Sequence, residues 1–294
     1  MAKGNIGNLL QHFVAMTCAE RLVASWDQPD VPIEYIDCYS MSPWETIEDD
    51  KWKSGSEKVR EFDNLAARGD SLARAFRDAW RTYYAGSSLP ADPCQRVYPN
   101  TAVLLATAFP YQLWAMRLHD IKDTKQEELR TWFNARCKCS FNVEANWTTA
   151  AHLRGQPIGL EHPILLMMDP YKIIKESQIN EKNEIDVDHG YLPQNWLRAL
   201  LGGLYLGLNE QTGANRKAPI VLTLFSYADS NPSDANSVVR AELAKGNWSI
   251  DHIQTQPHQL FGNRVVDQAW VATYGLTTPV VGPKMQAAWD TWIA

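Results

Sequence analysis

Hydrophobic residues in this chain fall into short blocks separated by polar, turn-forming stretches, and the spacing within the blocks predicts strands alternating with helices. Ile164-Leu165-Leu166-Met167-Met168 is apolar at every position and is bounded by Pro163 and by Asp169-Pro170. Such a run predicts a strand buried on both faces, as in parallel sheets. Ile33-Glu34-Tyr35-Ile36-Asp37 predicts a second strand, and further strands are expected at 112–118, 139–144, 220–225, 248–255 and 265–274. Apolar residues at helical spacing predict helices at 8–25, 100–108, 125–134, 193–208 and 236–244, with Asn8 as the N-cap of the first and Pro193 in the first turn of the fourth. From Trp44 to Pro93 the sequence is charged and helix-forming with no strand candidate. Residues 45–93 are therefore read as a helical insertion in a core made of 1–44 and 94–294. The alternation predicts an α/β fold with a doubly wound, mostly parallel sheet, its last two strands forming an antiparallel edge pair.

Ligands of open α/β sheets bind beyond the carboxyl ends of the strands, which draws attention to Asp169-Pro170-Tyr171. An Asp fixed there accepts hydrogen bonds from an exocyclic amine, Pro170 stiffens the turn, and Tyr171 offers a face for a flat base. Asp-Pro after a strand is also ordinary turn chemistry.

Composition narrows the field. Apolar content of 45% and charged content of 21% fit a globular protein. No apolar run reaches membrane-spanning length, and Met1-Ala2-Lys3-Gly4-Asn5 lacks the apolar core of a signal peptide, so a cytoplasmic protein without a membrane partner is expected. Five irregularly spaced cysteines fit a reducing compartment. Cys137-Lys138-Cys139 is half of a metal site without a second half, or simply two thiols at a helix-to-strand junction. A net charge of −6 argues against coating nucleic acid through a broad basic face but leaves room for a local groove. Asp186-Val187-Asp188-His189 reads either as ligands for a divalent ion or as a solvated acidic loop. His119 is either a pocket group or a turn residue, and 229–234 a loop after a buried strand. No metal site is assigned, and Walker, nucleophile-elbow and zinc-finger patterns are absent.

Taken together, the segments resemble the RlmJ family of ribosomal RNA adenine-N6 methyltransferases across nearly the whole chain. Gly4-Asn5-Ile6-Gly7-Asn8-Leu9-Leu10-Gln11-His12 is similar to that family's opening Gly-Asn-x-x-Asp-x-x-Lys-His. Tyr98-Pro99-Asn100-Thr101 is similar to its Tyr-Pro-Gly-Ser, Leu118-His119 to a Leu-His after its second strand, and Asp169-Pro170-Tyr171 to its catalytic Asp-Pro-Pro-Tyr. The resemblance implies a Rossmann-like methyltransferase fold with a mostly parallel seven-stranded sheet and a helical insertion. It implies S-adenosylmethionine as cofactor, with His12, Asp37, Tyr39, Thr101, Arg117 and Asn146 around it, and Asp169, Pro170 and Tyr171 as catalytic residues.

The departures from the family cluster in the cofactor pocket. Asp37-Cys38-Tyr39-Ser40-Met41-Ser42-Pro43 stands where the family has Asp-x-His-Ala-Gly-Ala-Gly. Arg117 replaces the ribose-binding acid, Asn146-Trp147 replaces an Asp-Gly that holds the adenine amine, and Asn8 and Gln11 replace an Asp and a Lys. Five altered contacts at about 1 kcal/mol apiece would weaken cofactor binding by roughly a few thousandfold. Two functions are therefore expected: methyl transfer from adenosylmethionine to an exocyclic amine of a nucleobase in RNA or DNA, or a methyltransferase scaffold that has given up the cofactor. The latter would bind nucleotides or nucleic acid, or perform another group transfer.

Overall fold

The computed structural model describes residues 6–28, 30–46, 70–85, 97–112, 114–120, 122–136, 140–145, 162–169, 172–174, 191–193, 218–226, 240–241, 243–244, 248–254, 268–275 and 283–293. In chain order these form α1 (Ile6–Ser25), β1 (Ile33–Asp37), β2 (Trp44–Thr46), α2 (Ser71–Tyr83), β3 (Val97–Pro99), α3 (Thr101–Ala108), β4 (Trp114–Asp120), α4 (Asp123–Arg136) and β5 (Ser140–Ala145). There follow β6 (Ile164–Met168), β7 (Lys172–Ile174), β8 (Tyr191–Pro193), β9 (Ile220–Ser226), β10 (Ser249–Gln254), β11 (Gln268–Tyr274) and α5 (Pro283–Ile293).

Seven strands make the main sheet in the order β10-β11-β9-β6-β1-β4-β5. All pairs from β5 to β9 are parallel, and β11 runs antiparallel to both β9 and β10. The mostly parallel sheet expected from the sequence is thus present, with β10 at the edge and β11 as the single reversed strand. Alternate side chains supply two separate cores. Ile33, Tyr35, Met116, Leu118, Leu165, Met167, Val221 and Val271 pack on one face with α1, α2, α3, α4 and α5. Ile36, Ile164, Leu166, Met168, Leu222, Trp270 and Leu243 pack on the other. β1 and β6 are buried at every position, as central strands of a sheet covered on both sides must be.

Some local expectations need correcting. Helix α1 starts at Ile6, so Asn8 lies inside its first turn, where its Nδ2 donates to Gln11 Oε1 at 3.2 Å instead of capping. The stretch read as free of strands contains β2, which pairs antiparallel with β3. Three residues cannot signal a strand by periodicity when the partner lies some fifty positions away. Pro193 closes the short strand β8, which pairs with β7, rather than opening a helix. Within the proposed insertion, α2 is capped by Asp70, whose carboxylate accepts from the Ala73 N–H at 2.8 Å, and its apolar stripe of Leu72, Phe76, Ala79 and Trp80 joins the core beside α1 and α3. Helix α5 was not predicted at all. Its Gln286 acts as a surrogate strand for the sheet edge, accepting from Gln254 N–H at 2.9 Å and donating to Gln254 C=O at 3.0 Å.

Candidate functional site

Within the main sheet, the strand after β1 in sequence is its neighbour β4 on one side, and the chain later returns to β6 on the other. The carboxyl ends of β1 and β6 therefore flank a topological switch point, the usual location of a crevice in open α/β sheets. Asp37 ends β1 with 1% of its surface exposed, and Asp169 follows β6 with 5% exposed. Their strands are in register, Asp37 opposite Met167.

Four of the predicted pocket residues, His12, Thr101, Asp37 and Tyr39, are joined through Tyr35, a residue not singled out from the sequence. His12 Nδ1 lies 3.0 Å from Thr101 Oγ1, and Thr101 in turn bonds to the Tyr35 hydroxyl. Tyr35 donates to Asp37 Oδ2 at 2.9 Å, while Asp37 Oδ1 accepts from the Tyr39 N–H at 3.0 Å. The result is a buried polar chain from α1 through α3 and β1 to the loop after β1. Burial, followed by the neighbouring Asp37 charge, holds the Tyr35 phenol well above its ordinary pKa, so it stays a donor. The signal for Tyr35 was present in the sequence. A phenol in a wholly buried strand, two residues before an acid, shares that acid's face and needs an acceptor there. The ring of His12 is itself packed between Tyr98, tilted at 5.2 Å, and Phe76, edge-on at 5.6 Å.

The loop 38–43 is held from several sides. Cys38 N–H donates to Met167 C=O at 3.1 Å, Ser40 N–H to His119 C=O at 2.8 Å, and Met41 N–H to the Asp120 carboxylate. Asn100 donates through Nδ2 to Ser40 C=O at 3.1 Å and through its backbone to Pro43 C=O at 3.0 Å, and its own Oδ1 caps α3 by accepting from Val103 N–H. Met41 is buried at a φ of +57°, the left-handed conformation that favours glycine. Met41 aligns with the first glycine of the loop in the family that the sequence resembles.

The Tyr39 side chain feels the charge of Asp169. Burial raises the Tyr39 phenol far above its ordinary pKa, and the charges of Cys38 and then Asp169 add to the effect. Arg117 is elsewhere. On β4 it pairs with Ile36, which places it on the opposite sheet face from Tyr35 and Asp37, and its Nε contacts Glu34 Oε1 at 2.5 Å. The acid at the carboxyl end of β4 is instead Asp120, raised from its ordinary pKa by burial against the opposing pull of the Lys122 N–H, Lys125, the Met41 N–H and Lys122's charge. The boundary of the predicted strand at Leu118 concealed it. His119 is buried at the same strand end. Pro170, Tyr171, Asn146, Trp147, Cys137, Cys139, Asp186, Asp188, His189 and 229–234 lie outside the described residues. Among the described residues no three His, Cys, Asp or Glu side chains gather as metal ligands, and no helix is long and apolar enough to cross a membrane.

Adenosylmethionine carries an ammonium, a sulfonium, a ribose diol and an adenine amine. Carboxylates at the ends of β1 and β4, with His12 and Thr101 nearby, suit those donors and positive charges. The N–H groups of Cys38, Tyr39, Ser40 and Met41 are each committed to an internal acceptor. With those four N–H groups taken, side chains rather than a backbone cradle are what the loop offers to such a group.

Comparison with known proteins gives no matching family model and no matching curated protein. Among solved structures, the chain is similar to protein LPL1258 from Legionella pneumophila, described under family-model DUF519, with a TM-score of 0.58 and 13% identity over 98% of this chain and 92% of that one. It also matches NSun6 from Pyrococcus horikoshii with SFG, at a TM-score of 0.39 and 11% identity over 90% of this chain and 51% of that one. An rRNA methylase from Streptococcus thermophilus gives a TM-score of 0.35 and 7% identity over 89% and 93%. At these identities the likeness is one of fold. The mostly parallel seven-stranded sheet with helices on its faces is the Rossmann-like methyltransferase fold that the sequence led us to expect.

Proposed function

We propose that this protein is an adenosylmethionine-dependent methyltransferase acting on the exocyclic amine of a nucleobase, of the adenine-N6 type, in RNA or DNA. The observation that carries the reading is the placement of Asp169, buried at the carboxyl end of the central strand β6 and set against the loop that follows β1. The cofactor supplies an electrophilic methyl group. Asp169 accepts a hydrogen bond from the target amine and, with the Pro170 carbonyl, orients its nitrogen lone pair, so that rate is gained through geometry. Tyr171 stacks on the extruded base. His12, Asp37 and Thr101, joined through Tyr35, and Asn146 form the surroundings of the cofactor.

A second reading is favoured by two observations: the four committed N–H groups of Cys38 to Met41, and Arg117 engaged with Glu34 on the far face of the sheet. These fit a scaffold that has abandoned the cofactor and binds a nucleotide or nucleic acid, or performs another group transfer. Titration calorimetry with adenosylmethionine and its demethylated product decides between them. Saturation at a hundred times Kd should stabilise the fold by about 2.7 kcal/mol. The absence of both heat and thermal shift at millimolar ligand removes the first reading and leaves the second.

A further inference from the structure

Helix α2 carries a basic face and an exposed aromatic end. Arg74, Arg77 and Arg81 recur at i, i+3 and i+7, so they share the face turned away from the buried stripe of Leu72, Phe76, Ala79 and Trp80. Asp78 lies 3.5 Å from Arg77 and 3.6 Å from Arg81, and it is the one acid among the described residues that pairs with this face. Arg81 keeps 63% of its side chain exposed. A fourth guanidinium stands at the carboxyl end of the helix, where the exposed Arg136 of α4 donates through Nη1 to Thr82 C=O at 2.6 Å. Tyr83 follows the buried stripe past the rim of the core and is 41% exposed. Its ring is braced by Trp44 of β2 at 4.5 Å and by Tyr84, edge-on at 4.9 Å. The Thr82 carbonyl that holds Arg136 belongs to the peptide leading into Tyr83, so cation and ring are adjacent. In a chain of net charge −6 this is a local concentration of positive charge around an aromatic platform. A merely solvated helix face has no use for the exposed ring, and an apolar partner has none for the arginines.

We infer that the carboxyl end of α2 is a docking surface for single-stranded nucleic acid, with a base stacked on Tyr83, the adjoining phosphate on Arg136 and Arg81, and further phosphates on Arg77 and Arg74. Every base has a π-face and every linkage a phosphate, so such a surface takes a strand irrespective of its sequence. A duplex hides the faces of its bases and would engage the arginines while leaving the Tyr83 ring idle. An acidic peptide would do the same. The bond to Thr82 uses one of the five donors of Arg136, and the others remain for a phosphate. The inference rests on the nucleic-acid partner of the proposed function and deepens it, naming the form of that partner and a place where the strand is held apart from the reacting base.

The test measures binding of a fluorescent single strand of about ten nucleotides to the full chain by anisotropy, over a range of salt concentrations. Tyr83→Leu should weaken binding about tenfold and leave the salt dependence as it was. Arg74→Gln and Arg81→Gln should each flatten the slope of log affinity against log salt by about 0.7, the share of one phosphate contact on a single strand. Three results overturn the inference: no binding by the native protein, a Tyr83→Leu protein that binds as the native one does, or polyglutamate competing as well as the unlabelled strand. The last would assign the surface to an acidic peptide. The arginine substitutions alter outward-facing side chains alone, so an unchanged salt slope refutes the phosphate contacts even if loss of Tyr83 disturbs its packing on Trp44. Cofactor heat without strand binding sinks this inference alone. Absence of cofactor heat sinks the methyltransferase reading, and the strand-binding result then stands or falls by itself.

Discussion

Removing the Tyr35 hydroxyl tests whether the polar chain beneath the site is structural glue. Tyr35→Phe keeps the ring, so it opens no cavity, but it removes the donor to Asp37 Oδ2 at 2.9 Å and the acceptor of Thr101. Tyr35 is fully buried and Asp37 is 1% exposed, so water cannot replace what is lost without rearrangement. A hydrogen bond to a charged group contributes about 1.5–3 kcal/mol, and stranding a buried partner lies in the same range, so a loss of about 2–3 kcal/mol is expected. For a chain of 294 residues that corresponds to a fall in Tm of about 4 °C. Urea unfolding of Tyr35→Phe, Asp37→Ala and the double variant should give a coupling energy of about 1–2 kcal/mol between the two positions. A loss below about 0.5 kcal/mol, or strictly additive effects, would show that the chain from His12 to Tyr39 is a coincidence of proximity and does not hold the loop.

Two further substitutions probe the surroundings. Asn100→Ala removes both the cap on α3 and the bond to Ser40 C=O, and should cost about 2 kcal/mol. Hydrogen exchange at Ser40 and Met41 should accelerate more than in the β-strands, and uniform acceleration would show that Asn100 merely caps a helix. Glu34 is held above its usual carboxyl pKa by burial, which outweighs the opposing charges of Arg117 and His162. An acid with a raised native pKa holds its proton longer in the folded state, so stability falls as pH rises through the carboxylate range. Glu34→Gln should therefore match the native protein below about pH 4 and be the more stable of the two at neutral pH. A native protein that gains on the variant as pH rises would mean that the Arg117 pair outweighs the cost of burial.

Much of the fold was legible because continuous apolar runs bounded by proline or acid admit few alternatives. β1 and β6 begin and end where the sequence placed them, since Pro32 and Pro163 precede them and Asp37 and Asp169 mark their exits. The unread elements depend on information far away in the chain: β2 needs β3, and Gln286 of α5 matters only because Gln254 is an edge. Helix α5 was nonetheless open to detection, with Pro283 at its first position and Met285 and Trp289 one turn apart on a buried face. At the site, the residues themselves pointed to Asp169, and the family resemblance to His12, Asp37 and Thr101. They were not followed to Tyr35, although a phenol two residues before Asp37 on a buried strand shares its face, or to the placement of Arg117 on the other face of the sheet, which period-2 counting from Leu118 would have shown.

The missing glycines in the loop after β1 take on a different meaning once its bonds are counted. Glycine is required where a ligand must lie against the backbone, and a backbone reserved for a ligand cannot also be anchored by the protein. Here the N–H groups of Cys38, Tyr39, Ser40 and Met41 bind Met167, Asp37, His119 and Asp120, and Met41 accepts a left-handed φ to make this possible. The strain of that turn, on the order of 1–2 kcal/mol, is offset by anchoring bonds of about 1 kcal/mol each. Such anchoring leaves Tyr39 on a rigid base, and a side chain supported in this way loses little conformational freedom on meeting a ligand. A loop whose N–H groups are all taken up by its own protein leaves any contact with a ligand to side chains rather than to backbone.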